Sequence, residues 1–278
     1  IYIWLGSTDS GLTYTITQPT GGASNPDVDT PLAKIENKWE TLILNALNYD
    51  DNTTIGKFET YGKGRWNSLV KKPCLVFTGA NDDFTTVSAV TDSAAMKDDY
   101  INCFIPAPGS KELPFVIAAR ALVKDIAPTA NNNPARNYIG RLTGLVPGPD
   151  DSQFNYATLD ATVKKGCSTT IITNGAITLH DILTAYHPDG DPLPAYRYVV
   201  DVIKLMNVVY NVRLIFESDE WRGAPLLPDD TPTTNPDAKK PKNAITALSN
   251  LADSLADNAI ISDPSFTKEN MTASLNSQ

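Results

Sequence analysis

Residues 166–216 decide the fold, and they read GCSTTIITNGAITLHDILTAYHPDGDPLPAYRYVVDVIKLMNVVYNVRLIF. The first part, residues 168–173, is short and rich in β-branched side chains, which is typical of a buried strand. Asn174-Gly175 follows it, a dipeptide that tolerates positive φ and favours a two-residue hairpin turn. The alternating residues 176–181 can return as a second strand. The sequence therefore predicts a β-hairpin.

A long apolar segment follows Pro192 and Pro194. Its apolar residues recur at helical spacing and fall on two neighbouring faces. These residues are Val199, Val202, Ile203, Met206, Val209 and Tyr210 on one face, and Val200, Leu205, Val208 and Val212 on the other. Two apolar faces predict a helix that is buried on most sides. A strand over residues 208–216, where apolar residues alternate, is the alternative; the length of the segment favours the helix.

Strand-like and helix-like segments alternate upstream. The predicted strands are residues 41–47, 74–78 and 100–105, and the predicted helices are residues 32–37, 55–66, 87–97 and 113–126. This order implies an α/β layer with a mixed, mostly parallel sheet flanked by helices.

The remaining segments predict smaller β-rich and α+β parts. Residues 1–5 and 11–17 are strand-like, and residues 151–165 contain a short helix. Residues 127–149 are rich in loop formers. Residues 224–242 carry five prolines and predict an exposed loop, and residues 243–258 form an amphipathic helix.

Composition restricts the classes of function. The chain has 278 residues, 41% of them hydrophobic, which suffices for one large domain or two modest ones. A net charge of −9 argues against nucleic acid and anionic membranes as partners. No apolar run approaches the ~18 residues needed to span a bilayer.

Three cysteines, Cys74, Cys103 and Cys167, border or lie within apolar runs. An odd number excludes a complete set of internal disulfides, and we expect buried, reduced thiols in a reducing cytoplasm. The chain begins at Ile1 without a methionine and ends in a polar segment. From this we expect a truncated fragment, such as a protease-resistant core.

Only His180 and His187 could serve as neutral-pH bases. His180 lies beside Asp181 in the second hairpin strand, which indicates a surface position, and His187 opens a loop signature. Asp9-Ser10-Gly11 matches the sequence around the catalytic aspartate of some proteases, but the histidine and serine motifs of a subtilisin-type site are absent. We assign no catalytic residue.

Metal and phosphate motifs are equally incomplete. Asp189-Gly190-Asp191 and Asp229-Asp230 lack the ligand spacing of a calcium loop, and neither histidine has the partners of a zinc site. Gly62-Lys63-Gly64 lacks the spacing of a phosphate-binding loop. The sequence predicts no metal and no cofactor.

Several blocks of residues occur in a fixed order along the chain. They are residues 113–119, Asn133-Pro134-Ala135-Arg136, Leu142-Thr143-Gly144, the hairpin residues Gly166, Thr169, Thr170, Gly175, Ile177, Leu179, Asp181, Thr184 and Tyr186, and residues 196–201. This ordered set resembles the tail sheath proteins of contractile phages, in particular the Mu-like branch. Asn133 and Asn137 depart from the aspartate and proline of the Mu-like pattern. The resemblance covers residues 29–221.

This resemblance implies a structural subunit that polymerises around a rigid tail tube and contracts to drive the tube through the host cell envelope. It implies a central domain, residues 30–181, with a subtilisin-like layer that lacks catalytic residues. Residues 1–29 would be the remnant of an outer β-rich domain and residues 182–278 a truncated C-terminal domain. The implied partners are neighbouring sheath subunits, the tube protein and the baseplate, in the virion after assembly in the host cytoplasm. We expect this fragment to be a monomer.

Two other classes of function stay open. A divergent α/β hydrolase would need a nucleophile, a base and an acid, which two histidines make hard to build. A carbohydrate- or receptor-binding module would need clustered exposed aromatics, and Trp4, Trp39, Trp66 and Trp221 are scattered along the sequence.

Overall fold

A computed structural model describes residues 25–148, 154–190 and 196–275. Its elements are α1 (Asp29–Ile35), β1 (Leu42–Asn45), α2 (Asn52–Arg65), β2 (Leu75–Ala80), α3 (Phe84–Thr91), β3 (Asn102–Pro106), α4 (Pro114–Ala121), a π-helical turn (Leu122–Ile126), α5 (Ala127–Asn132), α6 (Tyr156–Lys164), β4 (Thr170–Thr173), β5 (Ala176–Leu179), α7 (Val199–Phe216), α8 (Pro241–Asp257) and α9 (Pro264–Glu269). The strands predicted at residues 1–5 and 11–17 lie outside the described residues.

The first three strands form a parallel sheet in the order β1-β2-β3. Leu42 pairs with Leu75, and Val76 pairs with Asn102. A helix connects each pair of neighbours, because parallel strands need a crossover that returns the chain to the same end of the sheet. The predicted α/β layer is therefore confirmed. Every pairing in this sheet is parallel, and the antiparallel pairing lies in a separate hairpin.

Both faces of the sheet are covered. β2 and β3 are buried along their whole length. On one face, Phe77 packs in a large apolar cluster with α4 and the first half of α7. On the other, Val76 packs against α1 and α2. Continuous burial on both faces explains why these strands read as unbroken apolar runs.

The predicted hairpin is confirmed. β4 and β5 pair antiparallel, with Ile171 opposite Thr178. The turn residues Asn174 and Gly175 have φ of 50° and 71°, and positive φ at both positions is what a type I′ turn requires. The hydroxyl of Thr170 donates to the carbonyl of Pro106 at 2.8 Å, which ties the hairpin to the end of β3.

The long helix α7 is also confirmed, and the alternative strand over residues 208–216 is wrong. The expectation of burial on most sides is wrong for its second half. Val199, Val202, Ile203 and Met206 are buried in the main cluster, whereas the last two turns extend beyond it. There Tyr210 and Leu214 are about half exposed.

Several predicted boundaries need correction. The helix predicted at residues 113–126 continues through the π-helical turn into α5, so the loop predicted from residue 127 starts after Asn132. α3 begins at Phe84 and ends at Thr91, instead of spanning residues 87–97. Its start is fixed by Asp83, whose side chain accepts a hydrogen bond from the N–H of Thr86 at 2.7 Å.

Candidate interaction surfaces

His180 lies at the end of the hairpin, where it is partly exposed as expected. Its Nδ1 atom is 3.2 Å from the hydroxyl of Thr169 and 3.0 Å from a carboxylate oxygen of Asp181. A catalytic triad needs the nucleophile and the acid on opposite nitrogens of the ring. Because both oxygens approach the same nitrogen, these three residues do not form one.

His187 lies in a loop, as its sequence context predicts, but it is buried. Its Nδ1 atom is 2.6 Å from the carbonyl oxygen of Ala185, and its Nε2 atom is 3.4 Å from Asp92. A carbonyl oxygen only accepts, so Nδ1 carries a proton. Gly166 fits against this ring at φ of 68°, where a Cβ atom would lie 2.5 Å from Nδ1. The contacts give His187 a structural role.

The three thiols are free and buried, as expected. Burial raises the pKa of the Cys74 thiol to about 12 and raises those of Cys103 and Cys167 well above the usual value. A thiol that stays protonated is a poor nucleophile and a poor metal ligand. The arrangement therefore offers no reactive cysteine among these three.

The acidic and glycine-rich motifs take structural positions. Asp189 pairs with Lys97 at 2.6 Å, and the Asp229 carboxylate accepts from the N–H of Lys242 at 3.1 Å. Lys63, between its two glycines, lies within α2 and pairs with Glu59. Asp191 and the Asp9-Ser10-Gly11 motif lie outside the described residues. Within the described ranges, no three His, Cys, Asp or Glu side chains form a group that could hold a metal ion.

β1 is an edge strand with one side open. The amide of Leu75 donates to the carbonyl of Thr41 at 2.9 Å, so the alternation along β1 directs the N–H and C=O groups of Leu42 and Leu44 away from β2. No described strand pairs with that side. The opposite edge is partly covered, since the amide of Ala185 donates to the carbonyl of Asn102 at 2.9 Å.

Aromatic side chains cluster on the exposed half of α7. The ring centroids of Trp39 and Tyr210 are 5.5 Å apart, and the guanidinium of Arg213 lies 5.5 Å from the Trp39 ring. Phe216 and Trp221 are 5.0 Å apart. Trp39 and Trp221, which are far apart in the sequence, thus each contact an aromatic side chain of the same helix.

The proline-rich segment of residues 224–242 is exposed and held by local contacts. Leu226 and Lys239 form an isolated parallel bridge, and the ammonium of Lys240 donates to the carbonyl of Thr231 at 2.6 Å. Lys239 also pairs with Glu220 and lies over the Trp221 ring. These contacts hold the segment against the residues that follow α7 and leave Leu226 exposed.

Comparison with known proteins identifies a curated relative and solved structures of similar fold. The relative is the Mu-like prophage FluMu tail sheath protein of Haemophilus influenzae, 23% identical over 206 residues. The resemblance to tail sheath proteins is confirmed. The aligned region covers 73% of this chain and 41% of that sheath protein, so the chain spans about two fifths of its length. No family model matches the chain.

Two solved structures support the fold. The crystal structure of the sheath tail protein of Desulfitobacterium hafniense superposes with a TM-score of 0.51 at 14% identity, over 88% of this chain and 54% of that one. A chain in the cryo-EM structure of the anti-feeding prophage baseplate gives a TM-score of 0.51 at 11% identity, over 90% of this chain and 69% of that one. The overall fold is therefore similar to the folds of these two chains.

No described helix combines the length and the apolar composition needed to cross a membrane.

Proposed function

We propose that the chain is part of a structural subunit of a contractile tail sheath. This subunit polymerises around a rigid tail tube and contracts to drive the tube through the host cell envelope. The observation that carries the proposal is the similarity to the Haemophilus influenzae sheath protein over most of this chain. Free energy stored in the extended lattice and released when subunits re-pack would supply the work, so no nucleotide is needed.

The chemistry of the described residues supports a scaffold more than a hydrolase. His187 is held by Ala185 and Asp92, and His180 lacks a nucleophile and an acid on opposite nitrogens. The α/β layer is, in this proposal, a subtilisin-like layer without catalytic residues. Its parallel sheet with a helix in each crossover is consistent with that assignment.

The domain organisation is part of the proposal. Residues 30–181 form the central sheath domain, residues 1–29 are the remnant of an outer β-rich domain, and residues 182–278 belong to a C-terminal domain. The main apolar cluster runs from Leu75 to Met206 and so has members on both sides of residue 181. The two larger parts would then move as one body during contraction.

The proposed partners are neighbouring sheath subunits, the tail tube protein and the baseplate, and not nucleic acid or membrane. Assembly takes place in the host cytoplasm and the product is the virion tail. The open side of β1 suits strand addition by a neighbouring chain, because its backbone groups offer a ready template. The exposed segment of residues 224–242 is the second candidate contact. Alone, this chain stays a monomer.

Negative-stain electron microscopy tests the proposal. We would compare this chain with the gene product in which it lies, each with and without tail tube protein. Tubes or contracted rings from the gene product and single particles from the chain are the expected result. A gene product that stays monomeric with tube protein present would refute the sheath role, and ester or peptide hydrolysis by it would favour the hydrolase.

A further inference from the structure

A small cavity lies where three distant parts of the chain meet. It has a volume of about 250 Å³ and is formed by the loop after α5, the residues that follow β5 and the first turns of α7. Its polar and aromatic lining residues are Asn137, Tyr138, His180, Asp181, Tyr198, Asp201 and Lys204. The volume suits one long side chain.

The charges around the cavity are unbalanced. Asp181 contacts His180 through one carboxylate oxygen at 3.0 Å, and Asp201 contacts Lys204 through one oxygen at 3.1 Å. Each carboxylate keeps a second oxygen that bonds to no described residue. The two carboxylates and the one lysine together carry a single net negative charge. Asp201 also lies in the first turn of α7, where it offsets the positive end of the helix dipole.

Two tyrosines supply aromatic surface to the same cavity. Tyr138 is almost fully buried, and its hydroxyl has no hydrogen-bond partner among the described residues. The hydroxyl itself has almost no accessible surface, so Tyr138 contributes to the wall of the cavity and offers no hydrogen-bonding group to a ligand. Tyr198 is partly exposed at the rim. Carboxylates next to aromatic rings favour a cation, which aromatic faces also attract.

We propose that this cavity binds the guanidinium group of an arginine side chain from another protein chain. A guanidinium is planar and offers five N–H donors, so it can bond the free oxygens of Asp181 and Asp201 while its flat face lies against a tyrosine ring. The side chain of Lys204 is long and flexible, so its ammonium can move aside when the guanidinium enters. The inference concerns this chain alone and does not rest on the sheath role.

An NMR titration of the isolated chain tests the site. The probe is N-acetyl-arginine methylamide, and the matched control is the citrulline compound, which has the same length and no charge. We expect saturable shifts of the backbone amide signals of residues 180, 181 and 201 with the arginine probe at millimolar concentrations. The citrulline probe should produce no saturable shift. Equal binding of both probes, or of neither, would overturn the proposal.

Charge variants separate a cation site from an anion site. Asp181→Asn keeps the shape of the side chain and should weaken arginine binding about fivefold, while Lys204→Met removes the competing ammonium and should strengthen it by about threefold. Asp160→Asn is the control, since Asp160 pairs with Lys164 on α6 and does not line the cavity. Its affinity for the probe should be unchanged.

The opposite pattern would refute the inference. If N-acetylglycine, an anionic probe, binds instead, and if Lys204→Met weakens and Asp181→Asn strengthens that binding, the cavity is an anion site. The dispersion of the amide spectrum shows for each variant that the chain is folded.

Discussion

Asp99 is a carboxylate with no exposed surface just before β3. It accepts hydrogen bonds from the amides of Ile101 at 2.7 Å and Asn102 at 3.1 Å, and from the Asn102 side chain at 2.6 Å. These bonds favour the ionised form. Burial outweighs them and raises the pKa of Asp99 to about 6. The residue therefore fixes the start of β3 at the cost of a buried charge at neutral pH.

Stability should reflect this pKa. The folded-state pKa of Asp99 lies above the ordinary value of 3.8, so the folded state binds this proton more tightly than the unfolded state does. The resulting contribution to the free energy of unfolding is complete below about pH 3.8 and is lost as the pH rises through about 6. Asp99→Asn cannot ionise. Between about pH 4 and about pH 7.5, its free energy of unfolding should rise relative to the wild type by about 2.5 kcal/mol, as measured by urea denaturation. Parallel pH curves for the two proteins would show that burial of this carboxylate does not shape the pH dependence.

The two histidines should differ sharply when replaced. His187→Ala removes a buried ring and leaves the Ala185 carbonyl without its donor, so it should cost about 2 kcal/mol. His180→Ala, at a partly exposed position, should change the free energy of unfolding by no more than about 0.5 kcal/mol. Thermal or urea unfolding of both variants is the check, and equal losses would contradict the structural role of His187.

For a single residue, the sequence predicts the type of element in which it lies better than it predicts whether its side chain is buried. The Pro-Asp-Gly run after His187 correctly indicates a loop. His187 is nevertheless buried and contacts Asp92, 95 residues away in the sequence, and no local sequence pattern predicts that contact. The same limit applies to the cavity beside Asp181, whose walls come from three separated segments.

Among the helices, α2 carries glycines in contrasting surroundings. A Cβ atom at Gly62 would overlap the side chain of Ile101, whereas one at Gly64 would meet open space. Gly64→Ala should therefore stabilise the protein by about 0.5–1 kcal/mol through helix propensity. Gly62→Ala should destabilise it by about 1–3 kcal/mol through overpacking. The two variants make the same chemical change two residues apart. Urea denaturation of both therefore separates the effect of helix propensity from the effect of packing against Ile101.

Periodicity and turn chemistry predicted the elements with the strongest local signals, the hairpin at Asn174-Gly175 and the helix α7. They failed after residue 126, where the local residues favour a loop and the chain is helical. Three asparagines at residues 131–133 favour a loop, yet α5 continues to Asn132 because the π-helical turn carries the helix past Ile126. In that turn Asp125 accepts from the amide of Gly140 at 3.0 Å, a contact between distant residues that the sequence does not display.

For the whole molecule, the alternation of strands and helices predicted the parallel α/β layer, and the ordered motif blocks predicted the class of relative. Neither predicted which half of α7 is covered. That depends on how far the helix extends past the sheet: Met206 lies within the main cluster, and Leu214, two turns later, is half exposed. Apolar periodicity is the same in both halves, so it cannot distinguish them.

Met206 tests whether the regions before and after residue 181 fold together. It shares one apolar cluster with Phe77 of β2, so Met206→Ala should lower the free energy of unfolding by about 2–4 kcal/mol. Hydrogen exchange should then accelerate by a similar factor in β2 and in α7, because both lose protection through the same unfolding event. Leu214→Ala is the control and should cost less than about 1 kcal/mol, since half of that side chain is exposed. If Met206→Ala accelerates exchange in α7 but leaves β2 protected, residues 182–278 fold as an independent unit, and the shared cluster does not couple the sheet to the long helix.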